Sequence, residues 1–198
     1  MWLVVGLGNP GRRYAGTRHN IGFDVIENLA NRWTIPAGGK QLGSLVGSGR
    51  IAVDKAVLAR PQSFMNRSGH PVRSLLGYYK LDPQRLLVIH DDLDLPFGSV
   101  KLKNGGGHGG HNGLRDIIQH IGKDFLRVRM GIGRPPQGWD QANYVLSRWN
   151  AEESKMTEEY LDRGTEAIES ILTDGIVQSM NVFNVRNTPP NQQPVDGL

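Results

Sequence analysis

Short apolar runs punctuated by glycine and proline mark the strands of this chain. The first run, residues 2–5, is followed directly by Gly6, which is typical of a buried strand that enters a tight turn. Residues 99–103 alternate apolar and basic side chains, and this period of two predicts a half-buried strand. Further strands are predicted at residues 42–46, 56–60, 85–90 and 127–132.

Longer stretches carry apolar residues at the spacing of one helix face. Helices are predicted from near Asn20 until Pro36, in the segment capped by Ser63 that contains Pro71, over residues 114–121, and around residues 180–183. Asn150, followed three residues later by Glu153, is typical of a helix start. That helix is expected to run towards residue 172, before Gly175 ends it.

Strands that alternate with helices favour a layered α/β fold. We therefore expect a single domain in which a twisted, mixed and largely parallel sheet is flanked by helices. Residues 134–149 are rich in proline, glycine, glutamine and tryptophan, which is typical of a long surface loop or lid. The domain is expected to cover residues 1–187, and the polar residues 188–198 are expected to form a flexible C-terminal tail.

The composition excludes several classes of protein. Because the 198 residues contain no cysteine, disulfides, thiolate metal sites and cysteine nucleophiles are excluded. The N-terminal apolar run is too short for a signal-peptide core, and no stretch approaches the roughly 20 apolar residues of a membrane span. We therefore expect a cytoplasmic protein with no membrane partner. The formal charge of +4 is compatible with an anionic partner such as RNA without requiring one.

Two motifs lie between the first strand and the first helix. GLGNPG, residues 6–11, has the glycine spacing of a dinucleotide-binding turn, but such a site needs a helix directly after the glycines. Helical spacing starts only near Asn20, so a structural turn that holds Asn9 at the end of the strand is favoured. TRHN, residues 17–20, places His19 just before the helix, either as a surface residue or as a base that works at neutral pH.

Three later motifs carry further polar groups. In SFMNRSG, residues 63–69, an isolated asparagine would ordinarily be a helix cap. HDDLDLPFG, residues 90–98, follows a strand at the edge where α/β sheets bind ligands. Its carboxylates would orient a histidine, bind a metal together with His108 and His111, or form a solvated loop. GGGHGGHNGLRD, residues 105–116, either presents amides to an anion or connects two elements flexibly.

Taken together and in order, these motifs resemble one family. GNPG-x-x-Y-x-x-T-R-H-N-x-G, F-M-N-x-S-G, H-D-x-L-D-L-P and G-G-H-x-G-H-N-G-L are similar to the motifs of bacterial peptidyl-tRNA hydrolases, over residues 6 to about 134. The resemblance implies hydrolysis of the ester between a peptide and the 3′ ribose of a tRNA, without a cofactor or a metal. Asp92 and Arg115 stand where Glu and Lys are also common, and neither is expected to do chemistry. We expect a monomer.

The resemblance also implies the roles of individual residues. His19 is expected to be the catalytic base and Asp91 its orienting partner, because a carboxylate that accepts one ring N–H leaves the other nitrogen free to take a proton. Asn9 is implied in catalysis and in separating N-blocked peptidyl-tRNA from free aminoacyl-tRNA. Asn66 and Asn112 are expected beside the scissile ester, where an amide can grip N–H and C=O groups or steady an oxyanion.

Four further residues are implied to contact the substrate. Tyr14 and Phe64 match positions that line the binding site, where rings can pack on a base or on the peptide. Lys103 and Arg129 resemble a clamp for the 5′-phosphate of the tRNA, with Lys101 as an assisting residue. A solvated strand face is the alternative explanation for the three cations.

Three other functions compete with the hydrolase. They are a catalytically inactive RNA-binding protein of the same fold, a metal-dependent hydrolase, and a nucleotide-dependent oxidoreductase. The intact set of polar residues in the motifs argues against loss of catalysis. The region after Gly11 argues against the oxidoreductase.

Overall fold

A seven-stranded sheet forms the centre of the computed structural model, which describes residues 1–185. The strands are β1 (Trp2–Gly6), β2 (Gly39–Gln41), β3 (Ser44–Ile51), β4 (Asp54–Pro61), β5 (Leu86–Asp92), β6 (Val100–Asn104) and β7 (Leu126–Gly131). They lie in the order β2-β3-β4-β1-β5-β7-β6. Strands β4, β1, β5 and β7 are parallel, whereas β2, β3 and β6 pair antiparallel with their neighbours. The predicted mixed and largely parallel sheet is confirmed.

Helices cover both faces of the sheet. In the described part of the chain they are α1 (Ile21–Arg32), α2 (Gly69–Tyr79), α3 (Asn112–Ile121), α4 (Gln141–Val145), α5 (Ala151–Asp174) and α6 (Ile176–Phe183). Helices α1, α5 and α6 share one apolar core with the sheet, and α2 and α3 share a second core on the opposite face. No helix within residues 1–185 has the length and apolar character needed to cross a membrane.

The central strand β5 contributes apolar residues to both cores and carboxylates at its end. Its first residues alternate between the two cores, with Leu87 and Ile89 facing α1 and α5, and Leu86 and Val88 facing α2 and α3. The strand does not end at residue 90, as predicted, but continues through Asp92. The carboxylates of its motif therefore start on a rigid strand, because the pairing with β7 extends to its last residue.

Two glycines allow α1 to lie directly against the ends of β1 and β5. A Cβ added to Gly22 would lie 2.5 Å from the backbone nitrogen of Leu7 and 2.5 Å from the carbonyl oxygen of Ile89. A Cβ on Gly6 would in turn collide with the backbone of Gly22. Gly6 of the first motif thus serves close packing of helix and strand, and the turn before α1 is brought to the edge of the sheet.

Several predicted boundaries are wrong for local reasons. Helix α1 ends at Arg32, before Pro36, because Thr34 adopts a left-handed conformation with φ 51°. Ser63 does not cap α2; its hydroxyl donates to the carbonyl oxygen of Arg67, and α2 begins only at residue 69. The short strand β2, which carries no apolar run, was not predicted.

Residues 134–149 are only partly the predicted loop. Asp140 accepts the N–H of Asn143 and caps the short helix α4. Tyr144 is buried, and its hydroxyl donates to the carbonyl oxygen of Ile132 at 2.7 Å. The loop prediction is wrong for the second half of the segment, because Tyr144 is buried and Trp149 is partly buried against the body of the protein.

The predicted start of the longest helix is confirmed. The side chain of Asn150 accepts the N–H of Glu153, whose carboxylate accepts the N–H of Asn150, and α5 then runs to Asp174 before Gly175.

The free edge of β6 is covered by one side chain. The amide oxygen of Asn184 accepts the N–H of Leu102 at 2.7 Å, and its NH2 group donates to the Leu102 carbonyl oxygen at 2.9 Å. This carboxamide replaces one residue of a neighbouring strand. The predicted tail, residues 188–198, lies outside the described residues, so its flexibility and the domain boundary at residue 187 remain predictions.

Candidate active site

A cavity of about 700 Å³ opens at the edge where β1, β4 and β5 end. Five polar residues that the motifs singled out line it together. They are Asn9 in the turn after β1, His19 in the 3-10 turn before α1, Asn66 in the 3-10 turn after β4, Asp91 on β5, and Asn112 at the start of α3. Because parallel strands end at the same edge of a sheet, residues that are distant in sequence meet here.

The carboxylate of Asp91 is the electrostatic centre of this cavity. It is only 3% exposed, and its Oδ1 accepts hydrogen bonds from His19 Nδ1 at 2.8 Å and from His111 Nε2 at 3.0 Å. Burial alone would raise the pKa of Asp91. The charges and N–H groups of the two histidines outweigh burial and hold that pKa well below its usual range. Asp91 is therefore ionised and can only accept hydrogen bonds.

His19 is held as a base with one bare nitrogen. Since Asp91 accepts from Nδ1, the proton of the neutral ring is on Nδ1, and Nε2 carries a lone pair. Nε2 has no hydrogen-bond partner among residues 1–185. Burial opposes protonation of the ring, but the charge of Asp91 and its hydrogen bond prevail and raise the pKa of His19 above 6.5.

His111 connects Asp91 to a helix. Its Nδ1 accepts the backbone N–H groups of Gly113 and Leu114, at 3.1 and 3.2 Å, and so caps α3. Because Nδ1 must carry a lone pair for this, the proton is on Nε2, which points at Asp91. The sequence motifs suggested only a metal-binding role for His111. Its position one residue before a helix was the signal for a capping role.

His90 completes the histidine cluster but cannot act as a base at neutral pH. Its Nδ1 donates to the backbone carbonyl oxygen of Asp91 at 2.7 Å, and its Nε2 is buried without a partner. Burial, followed by the charge of His111, lowers the pKa of His90 to about 3. Its ring packs edge-on against the ring of His111, with centroids 5.0 Å apart.

The residues of this cluster were also considered as metal ligands. His19, Asp91 and His111 present three ligand atoms within 4.8 Å of one another. The separations of 2.8 and 3.0 Å are, however, hydrogen-bond distances, and each histidine nitrogen at this point carries a proton. A cation would require both rings to lose these protons, and His111 would have to release the start of α3. The donor set fits a hydrogen-bonded carboxylate better than a metal site.

Asn9 presents a donor to the cavity. Its amide oxygen accepts the N–H of Met65 at 2.8 Å, so its NH2 group is the end that remains free. The backbone of Asn9 is fixed as well, because its N–H donates to Asn20 Oδ1 and its carbonyl oxygen accepts from Asn20 Nδ2. An asparagine side chain can offer both a donor and an acceptor, but at Asn9 the fold leaves only the donor available.

The other two asparagines are less constrained. The amide oxygen of Asn112 accepts from Arg115 Nη1 at 3.1 Å, which again leaves an NH2 group for a ligand. Arg115, which was not expected to take part, therefore orients a cavity residue. Asn66 is exposed, and its side chain makes no hydrogen bond within the described part of the chain. Both ends of its amide remain available.

The two aromatic residues occupy different places. Phe64 is 51% exposed and lines the cavity. Tyr14 does not line it; its ring packs edge-on against Phe64, with centroids 6.5 Å apart, and the guanidinium of Arg13 lies over the Tyr14 ring. Tyr14 is thus placed to support the ring of Phe64.

A row of cations extends the cavity along β6 and β7. Lys103 and Arg129 line it, but Arg129 Nε also donates to Asp92 Oδ2 at 2.7 Å. Lys101 lies on the same face of the sheet, yet its Nζ donates to the carbonyl oxygen of Val185 instead of facing the cavity.

Arg127 is a structural residue that the sequence did not distinguish from its neighbour Arg129. It is 2% exposed, and its guanidinium donates to the carbonyl oxygens of Gly106 and Gly107. These bonds hold the glycine-rich loop against β7. The loop in turn leads to the capping residue of α3, so Arg127 helps to fix the cavity wall.

Comparison with known proteins gives consistent results. The sequence matches the family model of peptidyl-tRNA hydrolases over residues 3–192. A peptidyl-tRNA hydrolase of Herpetosiphon aurantiacus is 44% identical over 205 residues, which cover 98% of this chain and 100% of that protein. A peptidyl-tRNA hydrolase of Frankia alni is 49% identical, with 92% of this chain and 93% of that protein covered.

The fold is similar to that of a solved structure. The crystal structure of peptidyl-tRNA hydrolase from Acinetobacter baumannii matches with a TM-score of 0.88 and 39% sequence identity. The match covers 93% of this chain and 95% of that chain.

The hydrogen bond to Asp91 should be visible in the titration of the histidines. In an NMR titration, His19 is expected to titrate above 6.5, whereas His90 stays neutral down to a pKa of about 3. In Asp91→Asn, burial acts without the opposing charge, so the pKa of His19 is expected to fall below 6.5. Asp94→Asn, at an exposed carboxylate that pairs with Arg134 on the rim of the cavity, should leave the pKa of His19 unchanged. An unshifted His19 in Asp91→Asn would contradict this assignment.

Proposed function

The chain belongs to the peptidyl-tRNA hydrolase family, and from this premise we propose how its cavity carries out the reaction. The enzyme hydrolyses the ester between the peptide and the 3′ ribose of peptidyl-tRNA. The observation that carries the mechanism is the bond from His19 Nδ1 to the buried Asp91, which leaves Nε2 bare at the cavity.

In this mechanism His19 acts as a general base. Nε2 takes a proton from water while the water oxygen attacks the ester carbonyl carbon. The imidazolium that forms is stabilised by the negative charge of Asp91. The bond between the carbonyl carbon and the 3′ oxygen then breaks, and the imidazolium returns its proton to that oxygen. The products are a free peptide carboxylic acid and a tRNA with a 3′-hydroxyl group.

Asn9 and Asn112 are proposed to donate hydrogen bonds to the peptide part of the substrate. Both amide oxygens are occupied, by Met65 N–H and by Arg115, so each residue offers an NH2 group. Carbonyl oxygens are the natural partners of such donors, including the oxygen on which negative charge develops. Asn66, with both amide ends free, and Phe64 with Tyr14 behind it, are proposed to contact the terminal nucleotide and the peptide.

The orientation of Asn9 supports discrimination against free aminoacyl-tRNA. An N-blocked substrate presents the carbonyl oxygen of its first peptide or acyl bond, which can accept from Asn9 Nδ2. A free aminoacyl group presents an α-ammonium instead, and this group only donates. Two donors cannot satisfy each other, and a buried polar group left unpaired loses about 1–3 kcal/mol.

Lys103 and Arg129 are proposed to bind the 5′-phosphate of the tRNA. Both line the same cavity, and phosphate recognition by converging cations is independent of sequence, which suits an enzyme for many tRNAs. Arg129 is paired with Asp92, so the phosphate must compete with a carboxylate for the guanidinium. This competition would release the product more readily than an unopposed pair of cations.

None of the three alternative functions gains support. The family membership and the intact His19–Asp91 pair do not support an inactive RNA-binding protein. We propose that the enzyme acts as a monomer. We also propose that the enzyme works in the cytoplasm, where peptidyl-tRNA from translation would be its substrate.

Hydrolysis should depend on His19 and not on a metal. Release of N-acetyl-amino acid from charged tRNA is expected to fall about 100- to 10,000-fold in His19→Ala, because general-base catalysis is lost. The activity of the unsubstituted enzyme should survive an excess of chelator. His108→Ala, at a histidine of the same cavity without a bond to Asp91, serves as the matched control and should stay active. Activity that disappears with the chelator would contradict the mechanism.

Asn9→Asp should change which substrate is preferred. The new carboxylate can still accept from Met65 but replaces the NH2 donor by an acceptor. Hydrolysis of N-acetyl-aminoacyl-tRNA is expected to fall roughly 100- to 1000-fold, as for other lost oxyanion or carbonyl donors. Hydrolysis of free aminoacyl-tRNA should fall less, because an α-ammonium can donate to the carboxylate.

Asn9→Ala separates the two effects, since it removes the donor without adding an acceptor. It should lower hydrolysis of the blocked substrate, whereas hydrolysis of the free one should stay unchanged or rise, because the donor that an α-ammonium leaves unpaired is removed. If Asn9→Asp and Asn9→Ala reduce the hydrolysis of both substrates in the same ratio, Asn9 does not discriminate between them.

The phosphate clamp can be tested by removing the phosphate. Dephosphorylated substrate is expected to raise KM of the unsubstituted enzyme about 10-fold, the equivalent of one charge-assisted bond. In Lys103→Ala or Arg129→Ala, KM should already be high and insensitive to the phosphate. Asp92→Asn, which frees Arg129, should lower KM for the phosphorylated substrate only. Lys101→Ala is the control on the same strand face, and a response of Lys101→Ala equal to that of Lys103→Ala would contradict the clamp.

A further inference from the structure

The residue before the catalytic histidine is an arginine that is almost completely buried. Arg18 is 5% exposed, although arginine is usually found at the surface. Its guanidinium lies over two aromatic rings, with 4.7 Å to the centroid of Tyr144 and 4.9 Å to that of Trp149. A flat cation that stacks on two rings is restricted in its orientation, which a flexible ammonium group would not be.

The same guanidinium makes two directed hydrogen bonds. Nη1 donates to the carbonyl oxygen of Arg148 at 2.5 Å, and Nη2 donates to Glu153 Oε2 at 2.6 Å. Glu153 Oε2 also accepts the N–H of Asn150 and so closes the cap of α5. One carboxylate oxygen therefore joins Arg18 to the start of the longest helix.

The backbone repeats this connection. The N–H of Arg18 donates to the carbonyl oxygen of Ser147 at 3.0 Å, and Thr17 forms an antiparallel bridge with Arg148. Residues 144–153 are thus attached to the turn that carries His19 by side-chain and main-chain bonds together.

This attachment reaches the substrate cavity. The residues just before Ser147 form its outer wall, which we define as residues 140–146. On the other side of His19, Asn20 is bonded to Asn9. The catalytic histidine therefore lies between two anchors, one to the end of β1 and one to the outer wall.

We propose that Arg18 is a positioning residue that fixes His19 relative to Asp91 and to the outer wall. Neither ring nitrogen of His19 touches Arg18, so Arg18 acts through the backbone of the 3-10 turn. Through its contacts, Arg18 fixes the distance between His19 and the outer wall. The inference rests on the proposed function, in which His19 is the base.

Arg18→Lys is the decisive variant, because it retains the positive charge beside His19 and an ion pair with Glu153. It removes the stacking of a planar group on the two rings and one of the two directed bonds. We expect kcat to fall about 10- to 100-fold, as for small misplacements of catalytic groups, with KM changed less than about 3-fold. A loosened bond to Asp91 should also lower the pKa of His19, which moves the acid limb of the pH profile to lower pH.

Arg32→Lys is the matched control. Arg32 also connects α1 to α5, through Asp162 at 2.7 Å and Glu169 at 3.3 Å, but it contacts neither the His19 turn nor the outer wall. This variant should lose stability without a change in kcat or in the pH profile. If Arg18→Lys has the kcat and the acid limb of Arg32→Lys, Arg18 has only a structural role and the proposal is wrong.

A second variant covers the case that Arg18→Lys does not fold. Glu153→Gln keeps an oxygen that can accept the N–H of Asn150 but removes the charge that holds Arg18. A fall in kcat smaller than that of Arg18→Lys, with the acid limb shifted in the same direction, supports the proposal. An unchanged kcat and pH profile overturn it.

An NMR titration of His19 separates this inference from the proposed reaction. A lowered pKa of His19 in Arg18→Lys would show positioning even if the substrate assignment were wrong. If, by contrast, the unsubstituted enzyme does not hydrolyse peptidyl-tRNA, the proposed function is wrong, but the positioning result still holds.

Discussion

A carboxylate removed from water must be surrounded by hydrogen-bond donors, and this requirement at Asp91 organises the site. Its two donors come from distant parts of the chain, His19 before α1 and His111 before α3. Each donor fixes one proton position, so that His19 keeps a bare Nε2 and His111 keeps a lone pair for the start of its helix. The charge that prepares the base and the cap that holds the cavity wall are consequences of one buried group.

The layered fold could be predicted because it follows from local patterns. Apolar runs and glycines specify the parallel strands, and the pair Asn150 and Glu153 specifies a helix start from neighbouring residues alone. The secondary-structure predictions are wrong where tertiary contacts determine the local structure. Residues 141–149 have the composition of a loop, and they are ordered because Tyr144 and Trp149 pack around an arginine more than a hundred positions earlier in the chain. The short strand β2 depends on pairing with β3 and carries no apolar signal of its own.

In the candidate site, too, some features follow from the local sequence and others depend on tertiary contacts. The gathering of Asn9, His19 and Asp91 at one edge follows from their places beside the ends of parallel strands and the first helix. Their orientations do not, since the Met65 N–H that occupies the amide oxygen of Asn9 lies 56 positions away in sequence. The difference between Arg127 and Arg129 is equally invisible in an alternating pattern. One guanidinium reaches the carbonyls of a glycine loop and the other reaches a carboxylate.

The hydrogen bonds of the Asn184 carboxamide to β6 can form only late in the synthesis of the chain. Its partner Leu102 precedes it by 82 positions, and β6 is the outermost strand on that side of the sheet. While the chain emerges from the ribosome, β6 can pair with β7 long before residue 184 exists. During that interval the outer N–H and C=O groups of β6 are open to any extended segment, including that of another nascent chain. Asn184, which follows α6, therefore covers this edge only late in synthesis, and a chain that stops before residue 184 would leave the N–H and C=O groups of Leu102 open to such a segment.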